Sequence, residues 1–592
     1  MSYFLNYISQ HNKIVNYAFY LQHIIIFIAM RKILLLLFLS CATIYAQDDI
    51  PKDYFAKPLD VPIILSGNFG ELRSNHFHSG LDIKTEQKEG LPVLAAADGY
   101  VSRIKVDHYG YGKALYVVHP NGYTTVYAHL QRYANDVQSF VKEKQYARET
   151  FELELFPDKE QLLVKKGDII AYSGNSGSSG GPHLHFEIRD ASERPMNPML
   201  FGIDVGDSKK PLINSILAYP VGEEAAVNRS QNPIRLKLIL QKDGNYKTEN
   251  LTTIGKIGFG LSAYDQQNGA SNKNGVYQIN TTYNGEEKFN ILFEKFSFDE
   301  TRYLNRFIDY GYWIKNKSRV QKLFREENNP LSIIKNEDND GFINVKEGLQ
   351  SVFKIEVCDF QGNKVLISIP IEGKIEEIND TKKIKETEDY IIANQATSIT
   401  KGKYSIYIPA GSLYEDMYLN IKVDGDTLVF DKDEIPIHKN ITISYDASNY
   451  KEEDLENVYI GRLNWRKDAY YNSTYRNGSK LSTKIRTFGT YVIAADTKPP
   501  SIKALNLTDR KWISDNKTIQ FRIDDNNSGI ASYRATVNGK FILMEYDYKT
   551  NLLTYDFSDG IITDTENNLK LIVIDNAGNT TTFEATFFRN QS

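Results

Sequence analysis

Apolar positions alternate with polar ones over short stretches through most of this chain, and turn residues punctuate them every few positions. "GLPVLAAADGYVSRIKV" from Gly90 and "KALYVVHPNGYTTVYAHL" from Lys113 read as strands on that pattern, with Asn121-Gly122 marking a hairpin turn. A second strand-rich stretch runs from Leu162 through "LLVKKGDIIAYSGNSGSSGGPHLHFEIRD". Between them the period changes. Tyr133, Val137, Phe140 and Val141 recur at helical spacing, and "FELELF" from Phe151 returns to strand alternation. Beyond about Asp204 the sequence is long, alternating and rich in Tyr, Asn and Thr, with almost no helical period.

An internal repeat lies in that second part. Asp265 and Asp524 each precede a Gly-aliphatic pair (Gly275-Val276, Gly529-Ile530). An Asn-Gly turn follows, and then a closing Asp-x-x-Gly-Asn, at Asp359 to Asn363 and Asp575 to Asn579. The spacing suits seven-stranded sandwiches, and "DTKPPSI" from Asp496 resembles the entry to bacterial Ig-like domains. The expected organisation is a leader over 1–46, a first domain over 61–203, a β-sandwich over 205–375, a β-rich module of unnamed type over 376–495 and a last sandwich over 496–592. The Asp and Asn residues of the repeats read as turn formers.

Composition bounds this picture. The chain has 592 residues, 41% hydrophobic and 24% charged, which describes a folding chain. "MRKILLLLFLSCATIYAQ" from Met30 has the basic start, apolar run and small residue of a secretory signal, with Met30 the expected start and Ala46 the expected cleavage position. Loss of 1–46 removes Lys13, Arg31 and Lys32 and no acidic residue, taking the net charge from −5 to −8, which argues against nucleic acid as a partner. Cys41 sits in the leader after Leu39, a poor lipid acceptor context, so Cys358 is left as the lone thiol and no intrachain disulfide is possible.

Seven of the ten histidines lie between His76 and His185, so the chemistry is concentrated in the first domain. In "GGPHLHFE" a strand would send His183 and His185 to one face and Leu184 and Phe186 to the other. In "FHSGLDI" His78 and Asp82 stand four apart around Gly80. His78, Asp82 and one histidine of the pair supply two imidazoles and a carboxylate, the ligand count of a hydrolytic zinc site. "VYAHL" adds His129. Glu187 could orient a ligand or dress the surface, His76 reads as supporting or exposed, and His108 and His119 read as structural. "GNSGSSGG" lacks the Lys-Ser/Thr of a phosphate loop and instead permits a turn beneath the site.

These motifs in this order, with "PVLAAADGYV" and "VKKGDIIAYSGNSG", resemble the lysostaphin-type (LytM-like) zinc metallopeptidases of bacterial peptidoglycan over roughly Ile64 to Phe201. The resemblance implies a mainly β fold: an antiparallel β-sheet peptidase domain followed by Ig-like β-sandwich domains. It implies His78, Asp82 and His185 as zinc ligands, His129 and His183 as catalytic non-ligand histidines, Zn2+ as cofactor with no other cofactor site, and peptidoglycan peptides as substrate. Location in the periplasm or envelope, or outside the cell, follows from the leader, with envelope proteins as partners for the C-terminal modules. Alternatives are a non-catalytic regulator, which would typically lack one of the five residues, and a surface adhesion protein dominated by its β-modules. Gln131 to Leu163 departs from the family by lengthening a connection; it could wall the groove or dock on a neighbouring domain, and its expected place is one rim of the groove. The C-terminal modules, which lack catalytic clusters, are expected to be dispensable for cutting small substrates.

Overall fold

The computed structural model describes residues 50–383 and 385–590. The leader, its start and Cys41 lie outside the described residues. No described helix is long and apolar enough to cross a membrane.

The histidine-rich part is built on a nine-stranded sheet. Its elements are β1 (Leu65–Gly67), β2 (Leu81–Lys84), β3 (Pro92–Leu94), β4 (Gly99–Val106), β5 (Ala114–Val118), β6 (Thr124–Ala128), β7 (Leu130–Tyr133), β8 (Leu153–Leu155), β9 (Leu163–Val164), β10 (Ile169–Ser173), β11 (His183–Arg189) and β12 (Pro195–Met196). The order along the large sheet is β1-β2-β11-β6-β5-β4-β8, with β12 on β11 and β9 on β4. A small sheet, β3-β10-β7, packs beside it. The β5–β6 hairpin closes at Asn121-Gly122, as the dipeptide predicts. β11 therefore lies between β2 and β6, which is where the motifs converge.

The helical spacing after Tyr133 produces a helix over Asn135–Arg148, ended by the left-handed Glu149. It buries Val137 and Val141. Its contacts realise one of the two expected placements, docking on a neighbouring domain. The Tyr146 hydroxyl bonds Asp559, the Tyr146 ring meets Phe541 edge-on, and Glu149 pairs with Arg534, so the segment docks on the last sandwich.

Beyond the histidine-rich sheet every larger described element is a strand, apart from short helices at Leu304–Phe307 and Tyr310–Asn316. Strands between Leu212 and Gly373 form a twelve-stranded system instead of the expected seven. Leu212–Val227 and Leu251–Tyr264 run side by side at unusual length, and a register break between Val221 and Ala226 interrupts their pairing. Two five-stranded sheets follow between Thr397 and Ala495, then a four- and a five-stranded sheet between Ser501 and Phe588.

The first part does not stand apart from the rest. Phe69 and Phe77, each 1% exposed, belong to the core of the 212–373 region, packed against Phe293, Phe296 and Phe307. Asn68 exchanges two hydrogen bonds with the backbone of Gly275, at 2.8 and 2.7 Å.

Candidate metal centre

In the antiparallel pairing of β2 with β11, Asp82 lies directly opposite His185, and His185 in turn faces Ala128 of β6. Residues opposite one another share a face, so Asp82 and His185 are brought together by register alone. His78 reaches the same point from the loop before β2. Gly80, between them, lies so close to β11 that a Cβ there would sit 2.3 Å from the Phe186 carbonyl oxygen, which is why no larger residue fits.

Three atoms meet there. His78 Nε2 is 3.0 Å from Asp82 Oδ1 and 3.1 Å from His185 Nδ1, and His185 Nδ1 is 2.9 Å from Asp82 Oδ1. The outer nitrogens fix the tautomers. His78 Nδ1 donates to the Asn68 carbonyl at 2.7 Å, and His185 Nε2 donates to Glu187 Oε1 at 2.8 Å. In neutral imidazoles that leaves two nitrogen lone pairs and a carboxylate oxygen pointing at one another, an arrangement that calls for a cation among them. Zinc ligands at about 2.0–2.2 Å from a metal would be spaced about 3.4 Å apart in a tetrahedral site, close to what is seen, so the donor set fits that metal.

The surroundings hold this triad in place. Arg73 Nη2 donates to the other oxygen of Asp82 at 2.8 Å. Glu187 is fully buried and accepts from Ser79 Oγ at 2.6 Å, from the Tyr111 hydroxyl and from Arg189 Nε at 2.6 Å. Burial alone would raise its carboxyl, but Arg189 and His185 hold it far below the ordinary range. Burial opposes a charge on His185, yet hydrogen bonds to Asp82 and Glu187 outweigh it and push the imidazole up to about 9. Two acceptors in search of one positive charge explain that shift.

His129 and His183 stand at one side. Their rings are 4.8 Å apart, and His129 lies 5.8 Å from His185. His129 follows β6 with a left-handed backbone (φ 59°), a conformation histidine tolerates better than most side chains, and this turns it toward the triad. Its Nδ1 donates to the Ser176 carbonyl at 2.9 Å. Burial first, then the neighbouring His183 and His185, push His129 down to about 3. His183 Nδ1 donates to the Gly181 carbonyl at 2.8 Å, and its Nε2 lies 3.4 Å from Asp82 Oδ1.

All five residues singled out by sequence thus converge. The other histidines do not join them. His76 is exposed and turned to Ser74, His119 is buried between Asp98 and Thr125, and His108 stacks on Phe151 and meets Tyr533 of the last sandwich. Arg73, Tyr111, Ser79 and Arg189 escaped sequence reasoning. Only Arg189 carried a signal, since His183, His185, Glu187 and Arg189 occupy every second position of β11.

The loop Gly174–Gly181 behind His129 and His183 is braced from the last sandwich. Lys549 Nζ donates to the carbonyls of Asn175 and Ser179, and the Tyr548 hydroxyl lies 3.5 Å from the Gly177 carbonyl. At Gly177 (φ 70°) a Cβ would strike the backbone of Gly112 at 2.3 Å, so the loop is pinned from both sides.

The sequence matches Peptidase family M23 over residues 76–147 and 156–198, and the Zu5-like domain over 388–496, which names the module left open by sequence reading. Among curated relatives, an uncharacterized metalloprotease of Haemophilus influenzae is 37% identical over 122 residues, 21% of this chain and 20% of that protein. The DD-carboxypeptidase/endopeptidase Mpg of Neisseria meningitidis is 33% identical over 128 residues, 22% of this chain and 23% of that protein. The peptidoglycan DD-endopeptidase ShyB of Vibrio cholerae is 31% identical over 131 residues, 22% and 24% of the respective chains. The chain therefore spans about a fifth of the length of the relatives it matches. The family match covers the strands that carry the triad, and within residues 76–198 this chain carries a domain of Peptidase family M23.

Proposed function

We propose that the protein is a zinc metallo-endopeptidase of the cell envelope that hydrolyses peptide bonds in bacterial peptidoglycan. The observation that supports this most is the triangle of His78 Nε2, Asp82 Oδ1 and His185 Nδ1, three acceptors within 3.1 Å of one another with two further histidines beside them. The substrate class is read from relatives named as DD-carboxypeptidase/endopeptidase and peptidoglycan DD-endopeptidase.

His78, Asp82 and His185 would hold the zinc. When bound, zinc polarises a scissile carbonyl and lowers the pKa of water toward neutrality. The protein's own groups handle protons and position. Glu187 fixes the His185 tautomer, and Asn68 fixes that of His78. His129 and His183 each give Nδ1–H to a backbone carbonyl, so each presents a bare Nε2. Burial disfavours a charge on His129, so its bare Nε2 faces the site as a lone pair that can hold or pass a proton of the attacking water or the leaving amine. Such acid–base assistance is worth about 10²- to 10⁴-fold.

Digestion of purified peptidoglycan, with released fragments weighed by mass spectrometry, tests the reading. His78→Ala should lower zinc to near background. His129→Ala and His183→Ala should keep zinc and lose about 10²-fold or more in turnover. Full zinc in the first variant, or unchanged turnover in both others, counts against these assignments.

A further inference from the structure

A second convergence of charged groups lies away from the histidines. Asp207 is on the segment leading out of the peptidase sheet, Asp265 directly follows the strand Leu251–Tyr264, and Asp359 directly follows the strand Gln350–Cys358. One oxygen from each lies within 4.8 Å of the others. Among the described residues no lysine or arginine forms an ion pair with any of the three. Asp265 is 6% exposed, and its Oδ1 has no hydrogen-bond partner. Asn274 pairs with it through two backbone bonds of 2.9 Å, so their side chains leave the same face. Asn274 is 4% exposed, and its Oδ1 is also without a partner.

We propose that Asp207, Asp265 and Asp359 bind a hard divalent cation of the calcium class, with Asn274 Oδ1 as a further ligand. An all-oxygen donor set with three carboxylates favours calcium over zinc, which prefers nitrogen and sulfur.

The last sandwich supplies an internal comparison. Asp496, Asp525 and Asp575 converge in the same way. The carboxylate in this second cluster is Asp525, one residue beyond the Asp524 that the sequence repeat aligns with Asp265. In both copies a closing asparagine bridges the linker and the cluster. Asn363 Nδ2 donates to Asp359 Oδ2 and the Asp207 carbonyl, and Asn579 Nδ2 donates to Asp575 Oδ2 and the Asp496 carbonyl. In the first copy N–H donors cap Asp207 Oδ1 (the Ser208, Lys209 and Asn268 amides) and Asp359 Oδ1 (the Asn363 amide), and in the second they reach all three carboxylates. Asp496 accepts from Ser528 N and Asn527 Nδ2, and Asp525 Oδ1 accepts from the Ser528 and Gly529 amides. No such donor reaches Asp265 Oδ1. Burial first, then the charges of Asp207 and Asp359, push Asp265 up to about 7, whereas the donors around Asp496 outweigh its burial and hold it below the ordinary range.

A cation there would tie the linker to the loop of Gln267. Gln267 bonds Leu65 N and the Ile63 carbonyl at 2.9 and 2.8 Å, at the start of β1, which pairs with the strand bearing Asp82. The proposal does not depend on the peptidase reading.

The full chain, stripped with chelator and held in saturating zinc, is titrated with calcium by calorimetry, and its unfolding temperature is followed in parallel. Calcium should bind and raise the unfolding temperature. Asp265→Asn should weaken binding by roughly tenfold or more and abolish the rise, because it removes one charge from the ligand set. Asp525→Asn should leave the calcium response intact. If Asp265→Asn does not fold, Asp207→Asn on the linker reads the same two quantities. A wild type that neither binds calcium nor gains stability from it overturns the proposal. So does an unchanged response in the Asp265 or Asp207 variant, or a response lost only in Asp525→Asn. A wild type indifferent to calcium but less stable than Asp265→Asn would instead identify a proton shared between carboxylates.

Discussion

Glu187 receives Arg189 on one oxygen and His185, Ser79 and Tyr111 on the other. Its charge therefore serves two purposes: it sets the His185 tautomer and neutralises a guanidinium whose side chain is 6% exposed. Glu187→Gln keeps the shape and removes the charge. Zinc affinity, measured by competition with a chelator, should fall about 10- to 100-fold. Stability to denaturant should fall by about 3 kcal/mol, because Arg189 would stay buried with only Glu193 nearby. The alternation of β11 made His183, His185 and Glu187 legible in the sequence and could have yielded Arg189. Arg73 and Tyr111 arrive from loops with no period to read, and their partners lie nine and seventy-six positions away.

At the scale of elements, strand alternation and the Asn121-Gly122 turn were readable because each depends on residues two to four apart. The helix after Tyr133 was readable for the same reason. Its docking partner was not, since Phe541, Arg534 and Asp559 lie about four hundred residues downstream. The loop Gly174–Gly181 shows what such distant contacts do. It carries the Ser176 and Gly181 carbonyls that orient His129 and His183, and Lys549 holds it by two other carbonyls. Lys549→Ala should lower kcat several-fold with zinc content unchanged, because it loosens only the proton-handling side of the site. Equal kcat in wild type and variant would show the loop to be rigid without its brace.

The whole molecule departs most from the sequence expectation. A part ending near Asp204 is expected to cut small substrates, and such a part would uncover Phe69 and Phe77, which belong to the core of the next region. Leaving both in water costs about 3–6 kcal/mol. Chains ending at 204 should melt well below chains ending at 375, or aggregate. Equal melting of the two would show that the aromatic pair finds other cover. The junction farther along carries a titrating group. His438 packs on Tyr303, 4.4 Å between rings, and on Tyr414, and burial first, then Arg302, Lys439 and Arg486, push it down to about 4. The unfolded chain binds a proton there near pH 6.5 and the folded chain only near 4, so stability is full above about 6.5 and lost as pH falls toward 4. A shift of that size is worth about 3 kcal/mol for a fully buried group, and solvent screening of this half-exposed ring reduces the loss to about 1–2 kcal/mol. His438→Gln should flatten the pH dependence of unfolding in that window.

The brace at Lys549 also sets an order of events. Ribosomes deliver a chain from its first residue at about 5–20 residues per second. Ser179 and Lys549 are separated by 370 positions. The loop that orients the two histidines therefore exists for roughly 20–70 s before the residue that steadies it has been made. A chain still being synthesised therefore carries these two histidines on a loop that is not yet steadied.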